Sequence, residues 1–307
     1  MVTVPTSDHT YFADTAAVAC KRLNTPKPRS FLLAAAGPVS GRTVAFSNAS
    51  TLSGPLHIDG AKLADQLALD QGLLLNDFEA LCLALPSLSE DSLISVGGGV
   101  SLSGAPMLVI GAGTGLGVGA LVSIDGRFLP LPSEAGHAGF GPETEADFAL
   151  WPHLGAGRHS AEDILSGRGL TRLYRAVARL HGIVPADTDD TPAAITQRAT
   201  TETEAIAVET IERFVGLLGR FAGDMALVFA ARAGVFIGGG IAPRFVRWMQ
   251  SGIFRAAFEA KANFAPFVQP IPTTLITAPN AALQGLAAVA ATPQGFMLDY
   301  AGRCWRV

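Results

Sequence analysis

Met107-Leu-Val-Ile-Gly111-Ala-Gly113-Thr114-Gly115-Leu-Gly117 joins a short apolar run to a cluster of glycines, and this junction decides the fold class. A continuous apolar run that stops at a turn residue suits a strand covered on both faces of a sheet. Three further runs have the same form: 31–36 before Gly37, 73–75 before Asn76 and Asp77, and 235–237 before Gly238. Helical stretches lie between them. The clearest spans 204–232, where Ile206, Ile211, Phe214, Leu217, Leu218, Phe221 and Met225 recur at helical spacing. A second is expected over about 161–180, opening on Ser160-x-x-Asp163 with Glu162 in its first turn and broken by Gly167 and Gly169. Residues 186–203, rich in Thr, Asp and Ala, read as a surface connection. The pattern is α/β, and in such sheets ligands gather at the carboxyl ends of the strands.

The bulk of the chain agrees. Its 307 residues suffice for two compact domains. Apolar residues make up 49% and charged ones 16%, with 34 Gly and 19 Pro, which describes a well-buried, loop-rich protein. A net charge of −4 without a dense Lys/Arg run argues against a nucleic-acid or membrane-surface partner, so a small-molecule ligand is expected. Cys20, Cys82 and Cys304 share no metal-ligand spacing and suggest no disulfide framework. The first residues lack the pattern of a secretory signal, and no apolar run reaches the ~20 residues of a membrane span. A cytoplasmic location is the expectation.

Several residues carry candidate chemistry. In the Gly111–Gly117 stretch, backbone N–H groups can come close to an anion and Thr114 adds a hydroxyl. The stretch lacks the Gly-Lys-Ser/Thr ending of a P-loop. Gly115-x-Gly117-x-x-Ala120 satisfies the permissive dinucleotide fingerprint, but the turn signal at Asp125-Gly126 predicts a hairpin where that motif requires a helix. Gly238-Gly239-Gly240 again ends a buried strand and suits close backbone approach to a nucleotide, or a plain bend. Asp77 can accept the proton of an attacking hydroxyl and Asn76 can bond a neighbouring one; helix capping is the alternative for both. Glu134, His137 and Glu162 supply the mixed donors and acceptors that a polyol needs. Metal binding by Glu134 and His137 lacks a third ligand at suitable spacing.

Taken in order, Ala36-Gly-Pro-Val-Ser-Gly41, Ser47-Asn48, Leu75-Asn-Asp-Phe78, Gly111-Ala-Gly-Thr-Gly-Leu-Gly117, Glu134-Ala-Gly-His137, Ser160-Ala-Glu162, Leu165-Ser-Gly167 and Val235-Phe-Ile-Gly-Gly-Gly-Ile-Ala-Pro-Arg244 resemble the bacterial glucokinase family. The resemblance runs from about residue 3 to about 291. It implies the actin-like, ribonuclease-H-like ATPase fold, with two domains and a central cleft. The small α/β domain would comprise 1–87 plus about 277–307, and the large one 88–276. It further implies that Asp77 is the general base for the 6-hydroxyl of glucose. Asn76, Glu134, His137 and Glu162 would contact the sugar. Gly111, Gly113, Thr114 and Gly115 would hold ATP phosphates, with Gly238, Gly239 and Gly240 against the adenosine. ATP and Mg²⁺ are the implied cofactors, and a homodimer is the family's habit.

Family members begin with a strand and an Asp-x-Gly-Gly-Thr loop, and nothing in residues 1–33 resembles it. The small domain is therefore expected to be N-terminally incomplete, either because the start codon is assigned too far downstream or because the chain is a catalytically impaired sugar-binding pseudokinase or sensor. Residues 292–307 extend past the resemblance without a pattern of their own.

Overall fold

The computed structural model describes residues 1–24, 26–183, 190–298 and 302–306. The elements in chain order are α1 (Phe12–Leu23), β1 (Ser30–Ala35), β2 (Val39–Ser40), β3 (Thr43–Thr51), β4 (Gly54–Asp59), α2 (Gly60–Leu67), β5 (Gln71–Asn76) and α3 (Asp77–Ala84). There follow β6 (Leu93–Gly97), β7 (Met107–Ala112), β8 (Leu116–Ile124), β9 (Arg127–Ser133), α4 (Glu145–Leu150), α5 (Gly167–Leu180), α6 (Pro192–Thr200) and α7 (Ala205–Val228). The last are β10 (Gly234–Gly238), α8 (Val246–Met249), α9 (Ile253–Glu259), α10 (Ala265–Val268), β11 (Thr273–Ile276), α11 (Ala281–Ala291) and β12 (Cys304–Arg306). Met1–Ser87, Ile124–Pro130 and Asn280–Val307 form one compact unit, and Leu88–Ser123 with Leu131–Pro279 the other.

In the first unit β5 is the middle strand of the order β1-β5-β12. It runs parallel to β1, with Ala35 opposite Asn76, and antiparallel to β12, with Trp305 opposite Gly72. Leu74 and Leu75 have no exposed surface, which explains the unbroken apolar run: both faces are covered. Trp305 fills the core beside Ala35, Val44, Leu56, Ile58, Leu63 and Leu74 and meets Phe31 edge-on. Its ring occupies the space above Gly72, where a Cβ would lie 2.3 Å from it. Helices α3 and α11 press together so closely that a Cβ on Gly285 would stand 1.9 Å from the Ala80 carbonyl oxygen.

The second unit holds β6, β11, β10, β7 and all of β8 but Ile124 from a sheet of order β6-β11-β10-β7-β8-β9, in which β11, β10 and β7 run parallel. The fully buried Leu108 and Ile110 of β7 join Phe214, Leu218 and Phe245 in its core, each such side chain contributing ~1.5–3 kcal/mol. Helix α7 meets α9 backbone to backbone: a Cβ on Gly219 would lie 2.2 Å from the Phe254 oxygen, and one on Gly223 2.4 Å from that of Phe258. Between these glycines Arg220 is buried, bonded to Asp147 at 2.7 Å and to the Gly141 carbonyl at 2.6 Å, and stacked over Phe140.

The sequence-based boundaries shift in three places. The long helix stops at Val228 because Ala230 turns left-handed, φ 47°, to lead into β10. The expected break at Gly167 is instead a helix start, with the Ser166 hydroxyl accepting the Gly169 N–H at 3.1 Å. Ser160 and Asp163 bond each other as their spacing suggested, but they close a separate turn, so Glu162 stands before the helix and not in it. Within the supposed connection 186–203, Pro192–Thr200 is helical, capped by Thr191; residues 186–189 lie outside the described residues. The hairpin at Asp125-Gly126 is present, with φ 50° and 76°, so no helix follows the Gly115-x-Gly117 stretch and the dinucleotide fingerprint fails.

Candidate active site

Strand β5 delivers Asn76 and Asp77 to the start of α3 in the first unit. Asn76 is the N-cap: its Oδ1 accepts the Phe78 N–H at 2.8 Å, and its own N–H donates to Glu79 Oε2 at 2.9 Å, completing a capping box. Its Nδ2 donates to the Gly37 carbonyl at 3.1 Å, tying the cap to the end of β1. The capping reading of Asn76 is therefore realised, and its side chain is held in one orientation. Asp77 is half-buried at the first helical position, and its Oδ1 accepts the Phe78 N–H at 3.1 Å. A carboxylate at that helix end is favoured by the unpaired N–H groups there.

Glu79, which the sequence reading passed over, has no exposed surface and forms an ion pair with Arg303, itself 8% exposed. The Asn-x-x-Glu spacing of the capping box was the one available signal for Glu79. No local pattern announces Arg303, because the pairing joins positions 224 residues apart.

The second unit gathers the other candidates. Strands β7 and β10 are parallel neighbours with Gly111 opposite Gly238, so both glycine stretches leave the sheet at the same carboxyl end. They touch: the Ile241 N–H donates to the Ala112 carbonyl at 3.1 Å, and a Cβ on Gly239, at φ 85°, would stand 2.3 Å from that oxygen. Only glycine fits there. On the other side they are open. A Cβ on Gly240 would meet nothing within 4 Å, and one on Gly113 only the Gly240 nitrogen at 4.0 Å.

Three loops are bound together around the start of β8. Glu162 Oε2 accepts the Leu116 N–H at 2.9 Å, and its backbone N–H donates to the Gly136 carbonyl at 2.8 Å. Gly136 abuts Leu116, leaving no room for a side chain, as a Cβ would lie 2.0 Å from the Leu116 oxygen. The turn that holds Gly136 also presents Glu134 and His137, exposed and 3.9 Å apart. Glu162, Glu134, His137 and the Gly111–Gly117 loop thus share one neighbourhood. Beside Glu162 lie Arg168 at 3.7 Å and Asp163, whose carboxyl is held below the usual range first by the Ser160 backbone N–H and then by the Ser160 hydroxyl and Arg172.

The glucokinase family model matches residues 1–293. The chain belongs to the glucokinase family. Among curated relatives, the glucokinase of Mesorhizobium japonicum is 44% identical over 282 residues, which is 91% of this chain and 81% of that protein. The crystal structure of a glucokinase from an Antarctic psychrotroph superposes with a TM-score of 0.83 at 29% identity, covering 95% of this chain and 89% of that one. A ROK-family glucokinase from Streptomyces griseus, solved with glucose and AMPPNP, shares the fold at a TM-score of 0.60 and 18% identity, covering 92% of this chain and 88% of that one. The expected actin-like ATPase fold of the glucokinase family is thereby confirmed.

Proposed function

We propose that this chain, a glucose kinase by family, transfers the γ-phosphoryl group of ATP to the 6-hydroxyl of glucose with Asp77 as general base. The observation that carries the reading is the pair of glycine loops at the carboxyl ends of β7 and β10, closed toward each other at Gly239 and open at Gly113 and Gly240. That open side fits a phosphate-bearing nucleotide, since the backbone there can be approached without a side chain intervening, although the Gly113 N–H is itself given to the Gly115 carbonyl at 2.8 Å. Gly111, Gly113, Thr114 and Gly115 would face the phosphates and Gly238–Gly240 the adenosine. Mg²⁺ binds through substrate phosphates with one or two carboxylates, and when bound it neutralises the phosphate oxygens.

The protein's own work is positioning and one proton transfer. Glu162, fixed by the Leu116 N–H, accepts a sugar hydroxyl with its remaining lone pairs. Glu134 and His137 supply an acceptor and a group of either polarity to further hydroxyls. Asp77 takes the proton of the 6-hydroxyl as that oxygen attacks phosphorus, and Asn76 offers the amide N–H that Gly37 leaves over. A homodimer in the cytoplasm completes the reading, and sedimentation of the purified chain tests the first part of it.

A coupled assay of the purified chain with glucose, ATP and Mg²⁺ tests the function. Glucose 6-phosphate should form, and formation should cease without ATP. Glucose binding by calorimetry without any turnover would replace this reading with that of a sugar sensor.

A further inference from the structure

A carboxyl side chain with no exposed surface is costly to bury unless it is paired and hydrogen-bonded. Glu79 meets both conditions: one oxygen pairs with Arg303 and the other accepts the Asn76 N–H at 2.9 Å. Arg303 is itself anchored, because its carbonyl accepts the Leu74 N–H at 3.5 Å and the next residues form β12 along β5. The residue thus holds the β5–α3 junction twice, by backbone two residues before Asn76 and by side chain three residues after it. A buried ion pair adds little net stability over an apolar pair of the same volume. What it does supply is direction, and Asn76 and Asp77 stand at the point being directed.

We propose that Arg303 is a positioning residue for phosphoryl transfer: through Glu79 it fixes the capped start of α3 and so the aim of Asp77. It lies beyond the residues 1–293 that the family model matches. The proposal rests on the assignment of Asp77 as base.

The test uses the full chain carrying R303M, R303K, E79Q/R303M and, as a control, D77N, each assayed for kcat, for the KM of glucose and ATP, and for thermal midpoint. A displacement of about 1 Å at a reacting group costs up to ~100-fold, so R303M should lower kcat about tenfold with the KM for ATP unchanged. R303K should recover part of kcat. E79Q/R303M leaves no lone buried carboxylate and should regain thermal stability, yet keep the low kcat.

If kcat instead rises with the melting temperature in the double variant, Arg303 is merely structural and the proposal is overturned. Wild-type kcat in folded R303M would overturn it as well. Should R303M not fold, the double variant is compared with the parent chain: a kcat about tenfold lower supports the proposal, and a parental kcat overturns it. D77N separates the two layers: full turnover there removes the base assignment itself, whereas an inactive D77N beside fully active Arg303 variants removes the positioning role and leaves the base standing.

Discussion

Glu162 reaches 46 residues back along the chain to take the Leu116 N–H at 2.9 Å, and it passes directly over Gly115 to do so. A Cβ on Gly115 would stand 2.5 Å from the same carboxylate oxygen. Gly115→Ala should therefore displace Glu162 and act on the sugar, although residue 115 belongs to the loop assigned to phosphate. The expected outcome is a rise in the KM for glucose of about 10-fold, roughly the loss of one charged hydrogen bond, with a smaller change in the KM for ATP. Steady-state kinetics with each substrate varied in turn checks it.

Asp77→Asn keeps the size of the side chain and an oxygen that can accept the Phe78 N–H. Folding should be preserved while the base is lost. A fall in kcat of ~10²–10⁴ is expected, with the KM for glucose within about threefold of the original. Turnover retained in a folded variant would take the proton-accepting role away from this residue.

Gly239→Ala places a Cβ 2.3 Å from the Ala112 oxygen at a φ of 85°, and both the clash and the backbone conformation oppose it. The two glycine loops should be forced apart. Nucleotide binding measured by calorimetry should weaken at least about tenfold, the equivalent of ~1.4 kcal/mol, while glucose binding by the same method changes little.

Acid should weaken the turn that carries Glu162. The Asp163 carboxyl is depressed by the Ser160 backbone N–H first, with the Ser160 hydroxyl and Arg172 assisting. A depressed folded value means stabilisation that is present above the unfolded value near pH 4 and lost as pH falls through the lower folded one. Asp163→Asn should lower the melting temperature at pH 7 by only about 1–2 °C, because solvent screens so exposed a carboxylate, and the difference from the parent chain should close as pH falls through the depressed folded value. A gap of constant size across that range would refute the ionic origin of the effect.

The strands and the placement of Asp77 were legible because they depend on local signals. An apolar run stopping at Asn76-Asp77 announces both a covered strand and a capped helix, and the structure has both. The glycine loops could be read for the same reason, since a chain that must pass an oxygen at close range excludes a side chain whatever its neighbours. Glu162 was legible as a residue but not as a position. Its Ser160-Asp163 frame resembles a helix cap, but it closes a turn of its own, and the helix starts at Gly167 under the Ser166 cap, with Gly169 packed against the Ile164 backbone where a Cβ would lie 2.4 Å away. The Glu79–Arg303 pair was illegible, because ion pairs across 224 residues leave no periodic trace in the chain.

The pairing of β12 with β5 also sets an order of events during synthesis. Trp305 leaves the ribosome after the whole second unit, so the first unit waits with the groove over Gly60 and Gly72 unfilled while residues 88–279 are made and can fold. Until residues 304–306 have been made and paired with β5, the apolar surface between Phe31 and Leu74 lacks its cover.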